Sequence, residues 1–158
     1  MIPSPIAKVL STLKKHRVRA LLMDGQACIV YGAAEFSRDI DLAVLATDKN
    51  LQLLRAALAE LQAIPIFVPA LGKEVLLQGH ASHFRARVPR ANGIRIVIMS
   101  AVNGCDAFEV LWARRKRIDV PGLGIVNVLA LPDLVARERP GCVRGHQGRA
   151  GLGRAAVA

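Results

Sequence analysis

The sequence predicts an α/β (α+β) domain with a small mixed sheet flanked by helices, and three observations predict it. Short apolar runs bounded by charged or turn residues, at 18–23, 39–45, 83–88, 94–99 and 125–129, have the length of strands. Between them lie segments with apolar residues three and four apart, the spacing of a helix that packs one face on a core. At 158 residues, with 53% hydrophobic and 22% charged side chains, the chain suits one folded domain, and no stretch approaches the ~20 apolar residues of a membrane helix.

The elements follow in order. Ser4 and Pro5 are an N-cap hydroxyl and a first-turn proline, and Ile6, Val9, Leu10 and Leu13 then share one helical face. That helix should end near Lys15 and His16, where positive charge suits a C-terminus. A strand at 18–23 leads through a turn at Gly25-Gln26 into a short helix over 27–31, closed by Gly32. Residues 33–38 read as loop and 39–45 as the second strand. Thr47 and Asp48 can cap a helix carrying Leu51, Leu54, Leu58 and Leu61. Pro65 restricts 63–68 to an edge strand or connection, because proline cannot donate to a ladder. A helical turn or two is expected at 73–80, and strands at 83–88 and 94–99 are expected to be joined by a hairpin-sized turn over 89–93. A helix at 106–115 carries Phe108, Leu111 and Trp112. A last hairpin over 117–129 turns at 121–124, and Leu131-Pro132-Asp133 opens the final helix.

Residues 1–136 form the expected domain. Beyond them, residues 137–158 hold five Gly, five Arg and four Ala but few bulky apolar side chains, so they cannot offset their ordering entropy and read as a disordered tail. The abrupt change in composition suggests a truncated or frame-shifted end ahead of a functional arm, although a basic tail could contact nucleic acid nonspecifically. The net charge of +10 divides into +4 in this tail, from five arginines against Glu138, and an ordinary +6 elsewhere. Cys28, Cys105 and Cys142 lie far apart without C-x-x-C spacing, which argues against disulfide or zinc frameworks. The first residues lack a secretory pattern, and a cytoplasmic location is expected.

The chemistry concentrates between Met23 and Val44. Asp39 and Asp41 are two residues apart on a strand and therefore project side by side from one face. Adjacent carboxylates repel, and a shared proton or a divalent cation makes such a pair tolerable; the cation, Mg²⁺, is the working reading. Gly25 and Gln26 precede a short helix, where backbone N–H groups can approach phosphate, and Ser37 can donate to a phosphate oxygen. Together these residues would cradle a nucleoside triphosphate. Arg38 falls on the opposite strand face and reads as structural or rim. If the carboxylates are instead structural, Arg38 or Arg95 is their natural partner.

The glycine turn, the spacer and Asp39-Ile40-Asp41 resemble the motif of the polymerase-beta-like nucleotidyltransferase superfamily. The likeness is closest to its small bacterial members, including those related to toxin–antitoxin and abortive-infection nucleotidyltransferases. It covers about residues 17–135, with Leu131-Pro132-Asp133-Leu134-Val135 similar to the closing helix. The resemblance implies Mg²⁺-dependent transfer of a nucleoside monophosphate from an NTP to a hydroxyl on a protein, RNA or small molecule. It also implies a third carboxylate on a later strand, completing the metal site and helping to deprotonate the acceptor. The matching position here is Val97, which cannot bind a metal. Asp24 stands where the first paired small residue is expected, and Asp24, Glu35 and Asp106 are the candidate substitutes for the third acid. The alternative is a catalytically degenerate, antitoxin-like binding protein.

Other clusters carry less. His80 and His83 have the spacing of a helical metal pair, but zinc needs three or four ligands and none follows nearby. His83 could instead contact a nucleotide, with Arg85 and Arg87 on the same strand face. Arg85, Arg87, Arg90 and Arg95 form one basic group and Arg114 to Arg117 another, which leaves a basic nucleic-acid-binding module as a third reading. No pattern for sequence-specific nucleic-acid recognition accompanies them.

Overall fold

The first helix, α1 (Ser4–Lys15), starts at the predicted serine and buries Ile6, Val9, Leu10 and Leu13. The computed structural model describes residues 4–32 and 39–138, so Ser37, Arg38, Glu35 and the expected tail from residue 139 onward lie outside the described residues. After α1 come β1 (Ala20–Met23), α2 (Asp24–Val30), β2 (Asp39–Val44), α3 (Asp48–Glu60) and β3 (Ile64–Pro65). The chain continues with α4 (Lys73–Leu77), β4 (Ser82–Arg85), β5 (Arg95–Met99), α5 (Phe108–Ala113), β6 (Lys116–Val120), β7 (Gly124–Val128) and α6 (Leu131–Glu138). This is a mixed α/β architecture built on one seven-stranded sheet in the order β3-β4-β5-β2-β1-β7-β6.

The sheet is mixed because β2 runs parallel to β5 and β1 parallel to β7, whereas β1 and β2 are antiparallel. The predicted β6–β7 hairpin is antiparallel, and β3 is the expected edge strand. Between β4 and β5 the turn is wider than predicted. Arg87 and Val88 donate their N–H groups to the Leu61 carbonyl at the end of α3, which draws the chain out of the sheet before the short 3-10 turn Pro89–Ala91.

Alternation along the strands places Ile40, Leu42, Leu22, Ile96 and Ile98 on one face, all with at most 1% exposure. α1 packs there, since Leu10 and Leu13 share a cavity with Leu22 and Leu42. Thr47 caps α3 by accepting the N–H of Asn50 at 3.2 Å. Asn50 is itself 4% exposed, accepting the Arg19 N–H and donating to the Arg19 and Leu45 carbonyls. One amide thus ties α3 to the entry of β1 and the exit of β2.

α1 and α3 are joined at their C-terminal ends by Glu60, which accepts from His16 at 2.6 Å and from Lys15 at 3.0 Å. His16, then Lys15, holds the Glu60 carboxyl below its usual value. A depressed folded-state value means that this stabilisation is complete above the unfolded carboxyl pKa of about 4.3 and is lost as pH falls through the lower folded value. Urea melts should therefore show the wild type losing more stability than Glu60→Gln on acidification below about pH 4.3. Equal acid slopes would contradict the assignment. Among the described residues, no helix is long and apolar enough to cross a membrane.

Candidate functional site

Strand β2 presents Asp39 and Asp41 on the sheet face opposite Ile40 and Leu42, as their spacing predicts. Register defines their neighbours. One transverse row runs His83, Val97, Asp41, Met23, and the next runs Arg85, Arg95, Asp39. In paired strands, residues in register share a face, so each row is a set of adjacent side chains.

Val97 lies beside Asp41 in this register, with 1% exposure. The position expected to carry a third acid is therefore adjacent to the carboxylate pair, and it holds an isopropyl group. Asp41 is itself 7% exposed, so Val97 forms an apolar wall against a largely buried carboxylate. Among the described residues, no group of three or more His, Cys, Asp and Glu side chains is placed to hold a metal.

Two of the three candidate substitutes for the third acid, Asp24 and Asp106, are engaged with arginines. Asp24 forms an ion pair with Arg137 of α6, which contacts it through both Nε and Nη2. Asp106 accepts from Arg114 at 2.8 Å, and Arg114 also grips Asp133 with two hydrogen bonds. This second network is structural: it fastens the end of α5 to the start of α6. Glu35 is outside the described residues.

Asp39 is paired with Arg95 through Oδ2. The guanidinium competes with any cation for that oxygen. Two carboxylates on one strand face still supply enough oxygen for one Mg²⁺, which commonly takes one or two protein carboxylates and completes its shell with phosphate and water. The donor set fits a single ion held jointly with a phosphate chain, and among the described residues no third carboxylate joins it for a second ion.

Gly25 and Gln26 lie in the first turn of α2 and do not form a separate turn ahead of it. The reversal occurs at Asp24, whose φ of 55° is left-handed and strained for most side chains. Aspartate tolerates this region better than most residues. Gly25 and Gln26 thus stand in the first helical turn at the end of β1, inside α2 and not ahead of it. The side chain of Gln26 belongs to a fully buried residue and cannot reach outward. Ser37 lies outside the described residues.

His83 is buried on β4 and meets the edge of Phe67, with ring centroids 5.3 Å apart. It occupies the same row as Asp41, separated from it by Val97, while His80 lies in the connection between α4 and β4. The helical geometry needed for a zinc pair is therefore not present. Arg115 stands over the Trp112 ring at 4.0 Å and donates to Asn127, so this member of the second basic cluster packs against its own helix. Arg137 was hidden from sequence reasoning by its place next to the glycine-rich tail. Its signal was helical spacing, three residues after the buried Leu134.

No protein-family model and no curated protein matches this chain.

Proposed function

We propose that this chain is a nucleotidyltransferase-like protein that binds a Mg²⁺–nucleoside triphosphate at Asp39 and Asp41, with transfer to a hydroxyl acceptor impaired by Val97. The single observation that carries this reading is the transverse row in which Val97 adjoins Asp41. It supports an acidic phosphate-handling site whose third acid has been replaced. Gly25 and Gln26 stand in the first turn of α2 at the end of β1, the strand next to β2, and in this reading they would face the phosphates. When bound, the metal would neutralise phosphate charge, and Asp39 and Asp41 would orient it. Cytoplasmic nucleoside triphosphates are the natural supply for such a site.

A second reading, a binding or antitoxin-like protein without transfer, is favoured by the Arg95–Asp39 pair, which occupies one of the two metal-binding carboxylates. Calorimetry with ATP, GTP, CTP and UTP tests the first reading. Wild type should bind at least one triphosphate in Mg²⁺, and Asp41→Asn should weaken that binding by about tenfold, equivalent to ~1.4 kcal/mol. In EDTA the two proteins should be indistinguishable. Absence of Mg²⁺-dependent binding for all four nucleotides would sink the first reading and leave the second.

A further inference from the structure

The sheet face opposite Asp39 and Asp41 contains a cavity of about 260 Å³ between α1 and the β2-β1-β7 part of the sheet. The buried Leu10, Leu13, Leu22 and Leu42 close its base, and the apolar surface open to a ligand comes from Val18, Trp112, Leu123 and Ile125. Leu22 and Leu42 alternate with Met23 and Asp41, so this space is separated from the carboxylates by the thickness of the sheet. Its size is just below the ~300 Å³ at which the range for small-molecule sites begins, which suits a small ligand.

The rim has one sign of charge. Lys14, Arg17 and Arg19 line the cavity, and no Asp or Glu does. None of these three cations takes part in an ion pair among the described residues. Lys14 instead reaches the Leu123 carbonyl at 3.4 Å, and Arg19 stands 5.6 Å from the centre of the Trp112 ring. Burial, and then the charges of Arg117 and Arg19, pull Arg115 below its ordinary value, consistent with uncompensated positive potential around this ring.

Arg17 adds a second indication. It ends α1 with φ 57°, bonded through Arg17 N–H to the Lys14 carbonyl, while the Val18 N–H reaches the Leu13 carbonyl. This is the helix-ending position at which glycine is favoured because it has no Cβ to strain. An arginine here carries backbone strain at a position that lines the cavity.

We propose that this cavity binds a small amphiphilic anion, an apolar chain ending in an oxyanion, with the chain against Val18, Trp112, Leu123 and Ile125 and the head group among Lys14, Arg17 and Arg19. Apolar surface and cationic rim together demand both parts of such a ligand. A carboxylate or a phosphate monoester provides the same head-group chemistry.

Trp112 lines the cavity and is the sole tryptophan of the chain, so its emission reports occupancy directly. The full chain is titrated with octanoate, octyl phosphate, octanol and inorganic phosphate. At least one of the two amphiphilic anions should shift Trp112 emission saturably and bind about tenfold more tightly than octanol, with inorganic phosphate inert. The stronger of the two identifies the head group. Arg17→Gly should weaken that anion by about threefold or more while leaving octanol unchanged, and should melt no lower than wild type because glycine relieves the positive φ. Ala20→Met, which fills the cavity from β1, should abolish both responses. Equal binding of the anions and octanol, binding of inorganic phosphate alone, or no response to either anion overturns the proposal.

Discussion

Replacing Val97 by aspartate is expected to produce the largest functional change available to this chain: nucleotide transfer at least ~10²-fold above wild type, the scale associated with a positioned acid or base. The prediction follows from placement. Val97 is paired in register with Asp41 and is 1% exposed, so the new carboxylate enters the same row as the existing acid. In the absence of metal that proximity is costly, because two carboxylates would share a poorly solvated surface. Val97→Asp in EDTA should lose about 2–4 kcal/mol of folding stability. Saturating Mg²⁺ and NTP should restore part of that loss, since a ligand at a hundred times its Kd stabilises by about 2.7 kcal/mol. A radiolabelled-NTP transfer assay and paired thermal melts test the two halves separately. Metal-dependent restabilisation without transfer would remove the impaired-enzyme reading and leave nucleotide binding alone.

Arg137→Ala is expected to give the largest stability loss among substitutions away from the hydrophobic core. The Arg137 side chain is 12% exposed and its partner Asp24 is 21% exposed, so the pair is largely removed from water. Breaking such a pair leaves a charge without its main compensation, and the partial exposure brings the expected loss to about 2 kcal/mol, below the range for complete burial. For a domain of this size that corresponds to a drop in melting temperature of about 8 °C. Asp24→Gly supplies the complementary arm of a double-mutant cycle. Asp24 has φ 55°, so glycine removes both the carboxylate and the backbone strain, and the double mutant should be more stable than Arg137→Ala alone. If Arg137→Ala melts within a degree of wild type, the contact between α6 and the start of α2 contributes little. The same contact explains why α6 runs through Glu138, past the domain boundary expected at residue 136.

Much of the architecture was legible because its causes are local. Ser4 and Pro5 begin α1, Thr47 caps α3, and Pro65 restricts β3 to the sheet edge. Each depends on a hydrogen-bonding group present or missing within a few residues. The start of α2 was less legible, since Gly25 drew the expected turn one residue too late. Aspartate can adopt the left-handed conformation, and a pattern that waits for glycine overlooks it. The β4–β5 connection also departed from expectation, because its N–H groups at Arg87 and Val88 bond to the end of α3, a partner that sequence spacing does not reveal.

What the sequence determined by itself is that Asp39 and Asp41 share a strand face, with Ile40 and Leu42 turned to the core. This follows from the period of two in an extended chain. The tertiary structure decided what stands beside those carboxylates. Arg95 reaches Asp39 across 56 residues of chain, Arg137 reaches Asp24 across 113, and β5 lays Val97 against Asp41. These neighbours come from strand register and helix docking, which are settled when distant apolar faces are buried together. Local sequence supplied the pair of acids, and long-range packing gave one an arginine and the other a valine.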